Sequence, residues 1–255
     1  MCPSPRRRFP IVIDGEAADI GTAAELAVAL DVLHGRHDRQ VLEQLGPHLA
    51  EIVAEPPGLA TVLGALEPPD QIYLIEALGP RLPDLVGGGA VLSQILARIA
   101  DVAVEQRLLE GIGRDGLRRL IQSPRDLAAA LEWVYGQCDA VLLDLLGIDY
   151  VAGLLESGFD LSLLLRTLDR ERQQELLAHL GWERLVGLVR GRRDLAYLMR
   201  ALPADASRRL LERMPRERLA ALVATRRHWQ EVARLLEADE IATLRERLGE
   251  GPHAA

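Results

Sequence analysis

The feature that most constrains this chain is an apolar pattern with a period of about 34 residues, a length found among stacked helical repeats. A large apolar residue followed by Gly or Pro opens each period, and the spacing of these doublets is constant except that the first step is shorter by one. The doublets are Leu45-Gly46, Leu78-Gly79, Ile112-Gly113, Leu146-Gly147, Leu180-Gly181 and Met214-Pro215, with a last trace at Leu248-Gly249. Internal repeats of this kind are the signature of stacked repeat architectures, so the period decides which fold is expected.

Four more sets of apolar residues keep this spacing to within one residue. An adjacent apolar pair begins four residues before each doublet, at Val41-Leu42, Leu74-Ile75, Leu108-Leu109, Leu142-Leu143, Leu176-Leu177 and Leu210-Leu211. Two single columns follow the doublet, namely Leu49, Leu82, Leu117, Val151, Leu185 and Leu219, then Ile52, Leu85, Leu120, Leu154, Leu188 and Leu222. A last column is Leu59, Leu92, Leu127, Leu161, Leu195 and Trp229. We expect all four sets to be buried.

Within one period the apolar residues recur at spacings of three and four, which is typical of one buried face of a short helix. Leu and Ala dominate and aromatics make up only 4% of the chain, which favours helices over strands. Gly and Pro at the doublet predict either two helices with the second split, or three helices of about ten residues. Because one such period cannot bury its apolar face alone, the sequence predicts an all-α fold, an α-solenoid in which the periods form a superhelical stack.

The domain organisation follows from where the period begins and ends. Residues 1–22 are expected to form an N-terminal tail and cap, and residues 248–255 a C-terminal tail. The array covers residues 23–247, with a partial period followed by periods that start at 45, 78, 112, 146, 180 and 214. The apolar run "FPIVI" is too short for a signal peptide, and no run reaches the roughly 18 to 20 residues of a membrane span. We therefore expect a cytoplasmic protein without membrane contact, with secretion as an effector left open.

The link between the two halves of each period gives the pattern a resemblance to known repeats. The link residues are Glu55-Pro56, Gly88-Gly89, Ser123-Pro124, Ser157-Gly158, Gly191-Arg192 and Thr225-Arg226. An opening Leu, paired apolar positions and a variable link resemble the DNA-reading repeats of TAL effectors, in which the link faces the bases. That resemblance implies nucleic-acid recognition, although these links do not form a consistent base-reading set. The array also resembles Leu-rich helical arrays of uncharacterised bacterial proteins, which imply no known activity.

Residues that would carry catalysis are not grouped in the sequence. The segment "VGGGAV" lacks the Lys-Ser/Thr ending of a phosphate-binding loop, and Cys2 and Cys138 are the only two cysteines. His34, His37 and Asp38 are the closest approach to a metal site, but they lie on a polar turn without further ligands. The sequence therefore predicts a protein that is not an enzyme and that has no cofactor and no metal.

Charge is distributed unevenly, and this points to a partner. The chain contains no Lys; its first part through His179 has 15 Arg against 27 Asp and Glu, and the rest has 15 against 11. A protein partner, with an acidic partner as one possibility, is expected at the Arg-rich links, and self-association of array ends stays open. The predicted partner-binding residues are Arg190, Arg192, Arg193, Arg226 and Arg227. A continuous basic stripe is missing, so nucleic acid is the less favoured partner.

Overall fold

The computed structural model describes residues 7–33, 35–234 and 236–249. Its contacts divide the chain into unit 1, residues 1–122 and 129–147, and unit 2, residues 123–128 and 148–255. Helices make up most of both units, so the all-α expectation is confirmed. In the part of the chain that the structure describes, no helix is long and apolar enough to cross a membrane. The predicted tail residues 1–6 and 250–255, and also His34, lie outside the described residues.

A β-hairpin precedes the helices, which the sequence analysis did not predict. Strands β1 (Phe9–Ile13) and β2 (Glu16–Ile20) are antiparallel and are joined by Asp14-Gly15, whose positive φ angles of 52° and 86° suit a tight hairpin turn. On one side of β1, the Gln44 side chain donates to the Val12 carbonyl and accepts the Val12 N–H, at 2.9 and 2.8 Å. The hairpin is therefore attached to the helix that contains Gln44 at the start of unit 1.

Each period from a doublet to the next contains three helical segments. The partial first period gives α1 (Ala23–Leu33) and α2 (Asp38–Leu45). Later helices up to residue 146 are α3 (Leu49–Ile52), α4 (Gly58–Leu63), α5 (Pro68–Leu78), α6 (Leu82–Val86), α7 (Gly89–Leu96), α8 (Val102–Leu120), α9 (Pro124–Leu131) and α10 (Cys138–Leu146). The remaining helices are α11 (Ile148–Leu154), α12 (Gly158–Leu165), α13 (Arg170–Leu188), α14 (Arg192–Ala201), α15 (Ala204–Arg213), α16 (Arg216–Leu222), α17 (Arg226–Ala233) and α18 (Ala238–Leu248).

The doublets lie where one helical segment ends and the next begins. Gly113 and Gly181 interrupt α8 and α13 with φ, ψ of 67°, 173° and 65°, 168°, so each of these helices is two segments joined by a kink. Only glycine adopts this backbone conformation readily, because it has no Cβ. Gly46, Gly79 and Gly147 also have positive φ. The Met214-Pro215 doublet breaks the chain differently, since Met214 is extended (ψ 134°) as residues before proline tend to be.

The predicted apolar sets are the core of the structure. The pairs, the opening apolar residue of each doublet and the single columns are buried at nearly every position, and Trp229, which takes the place of Leu, is only 8% exposed. Leu154 departs from the prediction because it is half-buried, as are Leu143 and Leu177 in the pairs. Each large aliphatic side chain contributes about 1.5–3 kcal/mol when it is fully buried, so these columns provide the main drive to fold.

Contacts within each unit link helices that are one period apart. In unit 1, α4 packs between α1 and α7, and α5 packs between α2 and α8. In unit 2, α14 packs between α12 and α17, and α15 packs between α13 and α18. Ion pairs follow nearly the same spacing, as in Arg39–Asp70 and Arg208–Asp239, at 3.0 and 3.4 Å between N and O atoms. Within each unit, helices that lie one period apart in the sequence are therefore packed against each other.

Arginine side chains also join segments that lie about one period apart in the sequence. Six of them donate to backbone carbonyls in the last turn, or at the C-terminal cap, of such a helix. The pairs are Arg114–Leu145, Arg118–Leu146, Arg184–Ala152, Arg216–Leu248, Arg218–Val189 and Arg247–Met214. The last carbonyls of a helix have no partner within the helix, so these guanidinium groups satisfy them.

A column of polar residues lies inside this apolar core, and the sequence analysis missed it. Its positions, each one period after the one before, are Asp38, Gln71, Glu105, Asp139, Gln173, Ser207 and Glu240. All of them are buried or half-buried. Gln71 and Gln173 donate to the carbonyls of Leu63 and Leu165 at 2.7 and 2.6 Å, which ties one helix to the end of the preceding one.

Candidate partner-binding groove

Two helices of unit 2 begin with a pair of arginines at equivalent places in successive periods. Arg192-Arg193 open α14 after the extended Gly191, and Arg226-Arg227 open α17 after Thr225, whose hydroxyl accepts the His228 N–H at 3.2 Å. The N-terminus of a helix carries a partial positive charge, so cations at this end are electrostatically unfavourable. Four arginines in such positions weaken the helices and strengthen the attraction of the surface for anions.

The structure brings most of the predicted arginines around one open groove. Arg190, Arg192, Arg193 and Arg227 line it together with Arg218 of α16, and we call it the basic groove. Its volume is about 870 Å³, and its remaining lining is Gly191, Ala196, Ala221, Leu222, Glu231 and Val232. Arg226 is exposed but is not among the lining residues. The groove thus has charged walls and a largely aliphatic base.

One carboxylate of the groove is shared between two of its arginines. Glu231 lies 3.5 Å from the Nε of Arg192 and 3.0 Å from the Nε of Arg227. In the described part of the chain, Arg190, Arg193 and Arg226 have no carboxylate within 4.0 Å, and their side chains are exposed. Five guanidinium groups around one carboxylate leave an excess of positive charge, which suits an anionic ligand.

Arg218 was not predicted from the sequence, because it lies outside the links between helices. It lies on α16 and reaches back to the Val189 carbonyl at 2.5 Å. Arg184, one period earlier, makes the equivalent bond to the Ala152 carbonyl at 2.6 Å. The repetition of an Arg at this spacing was visible in the sequence and was the signal that could have identified it.

The His and Cys residues considered for chemistry lie in different surroundings. His37 pairs with Asp14 at 3.2 Å, and no group of three or more His, Cys, Asp or Glu residues suited to a metal ion occurs among the described residues. Burial, with the nearby Glu105 carboxyl as a second cause, raises the pKa of the Cys138 thiol to about 11. This thiol is therefore protonated near neutral pH and is a poor nucleophile.

Two buried carboxyls in the described part of the chain have a raised pKa. Burial raises the pKa of Glu105, although the N–H of Tyr135 donates to it at 2.9 Å and lowers the pKa in part. Burial also raises the pKa of Asp38, and the charges of Asp70 and Glu67 add to this effect. Both belong to the polar column described above and not to the basic groove.

A second cavity of about 440 Å³ lies in unit 1, between the end of the hairpin and the link before α4. Its polar lining includes Arg7, Glu51 and Glu55, so it has more negative than positive charge. It does not share the excess of cations of the basic groove.

Comparison with known proteins finds no match for this chain. No protein-family model, no curated protein and no solved structure matches it.

Proposed function

We propose that this chain is a non-catalytic helical-repeat scaffold that binds an acidic segment of a protein partner in the basic groove. The observation that carries the proposal is the set of five arginines, from two successive periods, around one groove with a single carboxylate. Arg binds carboxylates with two parallel N–H donors, which gives both affinity and orientation. We keep the cytoplasm as the expected compartment.

An α-solenoid is the architecture we propose for this scaffold. Its support is the three-helix period, the contacts between helices one period apart in each unit, and the arginines that reach the helix ends of adjoining periods. Stacked repeats place equivalent links side by side, so arginines at one link position in two periods become neighbours. The basic groove is the result expected when two Arg-rich links follow each other.

The distribution of charge along the whole sequence also favours an acidic peptide over a nucleic acid. A nucleic-acid groove needs cations along most of its length, whereas the stretch from Leu45 to Ala77 contains five carboxylates and no Arg. A short acidic segment needs only the groove in unit 2. Nucleic-acid binding, which the resemblance to TAL-effector repeats implies, is the alternative that the experiment must separate.

The test uses a fluorescein-labelled peptide of twelve residues rich in Glu and Asp, measured by fluorescence polarisation. The wild-type protein should bind it, and the double variant Arg190→Glu/Arg193→Glu should lose the binding, since both side chains are exposed and neither has an ion-pair partner among the described residues. The matched control, Arg170→Glu/Arg209→Glu, makes the same change in net charge away from the groove. Equal loss in both variants would show that only net charge matters and would refute the site.

A labelled duplex DNA of similar charge serves as the second probe. Tighter binding of this duplex than of the peptide, with an affinity that falls steeply as salt rises, would favour the nucleic-acid alternative. Wild-type protein that binds neither probe would refute the basic groove as a binding site for anions.

A further inference from the structure

An exposed aromatic pair lies beside the basic groove. Phe159 at the start of α12 and Tyr197 on α14 have ring centroids 4.9 Å apart in an edge-to-face arrangement, with 69° between the ring planes. They are 37% and 42% exposed, although the whole chain contains only nine aromatic residues other than His. Large exposed aromatic rings next to each other are typical of interaction surfaces.

Tyr197 and the groove share one helix face. Tyr197 lies four residues after Arg193 on α14, and side chains at this spacing are neighbours along a helix, with about 6 Å between their Cβ atoms. Arg193 lines the groove. The aromatic pair therefore continues the basic groove along α14 toward α12.

The same carboxylate holds the two parts of this surface in place. Asp194 accepts the backbone N–H of Arg190 at 3.0 Å and the backbone N–H of Phe159 at 3.4 Å. At Gly158 an added Cβ would lie 2.8 Å from both the Cβ and the carbonyl oxygen of Asp194, so α12 approaches α14 as closely as glycine allows. Because these backbone contacts fix the rings relative to the groove, a ligand would meet a preformed surface.

We propose that this aromatic pair is the apolar anchor site of the basic groove, so that the partner is an acidic peptide carrying a Trp, Phe or other large apolar side chain. The proposal rests on the proposed function, because the arginines supply the attraction for the acidic residues. Tyr and Arg are among the residues that most often dominate binding at protein interfaces, where the central contact is apolar and the charges lie around it. An edge-to-face pair leaves no two parallel ring faces between which a nucleic-acid base could be stacked.

The experiment compares two labelled acidic peptides of twelve residues that differ only in a central Trp or Gly. We expect wild-type protein to bind the Trp peptide more tightly, and Tyr197→Ala to weaken that binding by about three- to ten-fold, the loss typical of one aromatic contact. The same variant should bind the Gly peptide as the wild type does. Tyr197→Phe, which keeps the ring, should retain most of the affinity for the Trp peptide.

Trp133→Ala is the matched control, because Trp133 is equally exposed (41%) but lies in unit 1. It should leave both affinities unchanged, and circular dichroism of each variant should show unchanged helix content. If both peptides bind equally and Tyr197→Ala changes neither, the anchor is refuted while the basic groove stands as proposed. If neither peptide binds, the groove and the anchor both fail. Tighter binding of labelled single-stranded oligothymidine that is lost in Tyr197→Ala would overturn the peptide partner in favour of stacked bases.

Discussion

Gly181→Ala offers a direct measure of how much the break between the two halves of α13 depends on glycine. Gly181 has φ 65° and ψ 168°, and a Cβ added there would meet nothing within 4 Å. The substitution therefore adds backbone strain without a steric clash. A residue other than glycine in this region of φ and ψ costs about 1–3 kcal/mol, so we expect a loss of about 2 kcal/mol of stability.

Gly187→Ala in the second half of the same helix is the matched control. A Cβ at Gly187 also meets nothing within 4 Å, and its φ lies outside the positive region. Ala is the better helix former, so this variant should gain about 0.5 kcal/mol. For a chain of this length 1 kcal/mol corresponds to roughly 2–4 °C in Tm, which predicts a fall of about 4–8 °C for Gly181→Ala and a rise of about 1–2 °C for the control.

Thermal unfolding followed by far-UV circular dichroism measures both variants against wild type. The opposite signs are the decisive feature, since both changes add the same methyl group to the same helix. If Gly181→Ala is as stable as Gly187→Ala, the kink does not require glycine, and the repeated doublet would have to be explained by packing alone.

Three further experiments test the core. Leu188→Asp buries a charge at a site that is 5% exposed and should lower the free energy of unfolding in urea by more than about 3 kcal/mol. Leu154→Asp, at a half-buried site, should lower it clearly less. Equal losses would show that the buried face is misplaced. The folded pKa of Glu105 is raised, so its contribution to stability is present below the ordinary glutamate pKa and is lost as pH rises through the folded pKa. Glu105→Gln should therefore lose less stability than wild type as pH rises above the ordinary glutamate pKa, measured by urea unfolding at a series of pH values, and parallel curves would contradict this. In a Cys2→Ser background the buried Cys138, with its pKa of about 11, should react with a thiol reagent only at the rate of unfolding, and rapid labelling of folded protein would contradict its burial.

The sequence was most informative where the same chemistry returned at the same spacing. Leu42, Leu82 and Leu195 could be assigned to the core because aliphatic side chains recur at their positions in nearly every period. The buried polar column keeps the spacing as well, but Asp38, Gln71 and Ser207 share no side-chain type. A pattern of repeated apolar residues therefore does not reveal them. What these positions share is burial at equivalent places on successive helices, which becomes visible only when the helices are positioned.

The candidate site was accessible from sequence only in part. Arg192-Arg193 and Arg226-Arg227 could be predicted as neighbours because they occupy equivalent links in successive periods. Phe159 could not be connected to them, since its link belongs to an earlier period and its partner Tyr197 lies in the middle of a helix. The hairpin was missed for another reason: the short run "FPIVI" is too brief to distinguish a strand from an apolar tail.

The arginines that bond helix ends about one period away weaken the link between the net charge of this chain and the potential at its surface. Arg118, Arg184 and Arg218 lie against helix C-termini, whose partial negative charge they offset. The backbone offsets part of their charge, so each contributes less to the potential that an approaching molecule meets than the exposed Arg190 and Arg193 do. Retention on an ion-exchange column should accordingly follow the few arginines around the groove more closely than the overall balance of −8. An acidic chain can in this way present a cationic face while its other arginines hold together helices that are not consecutive in the sequence.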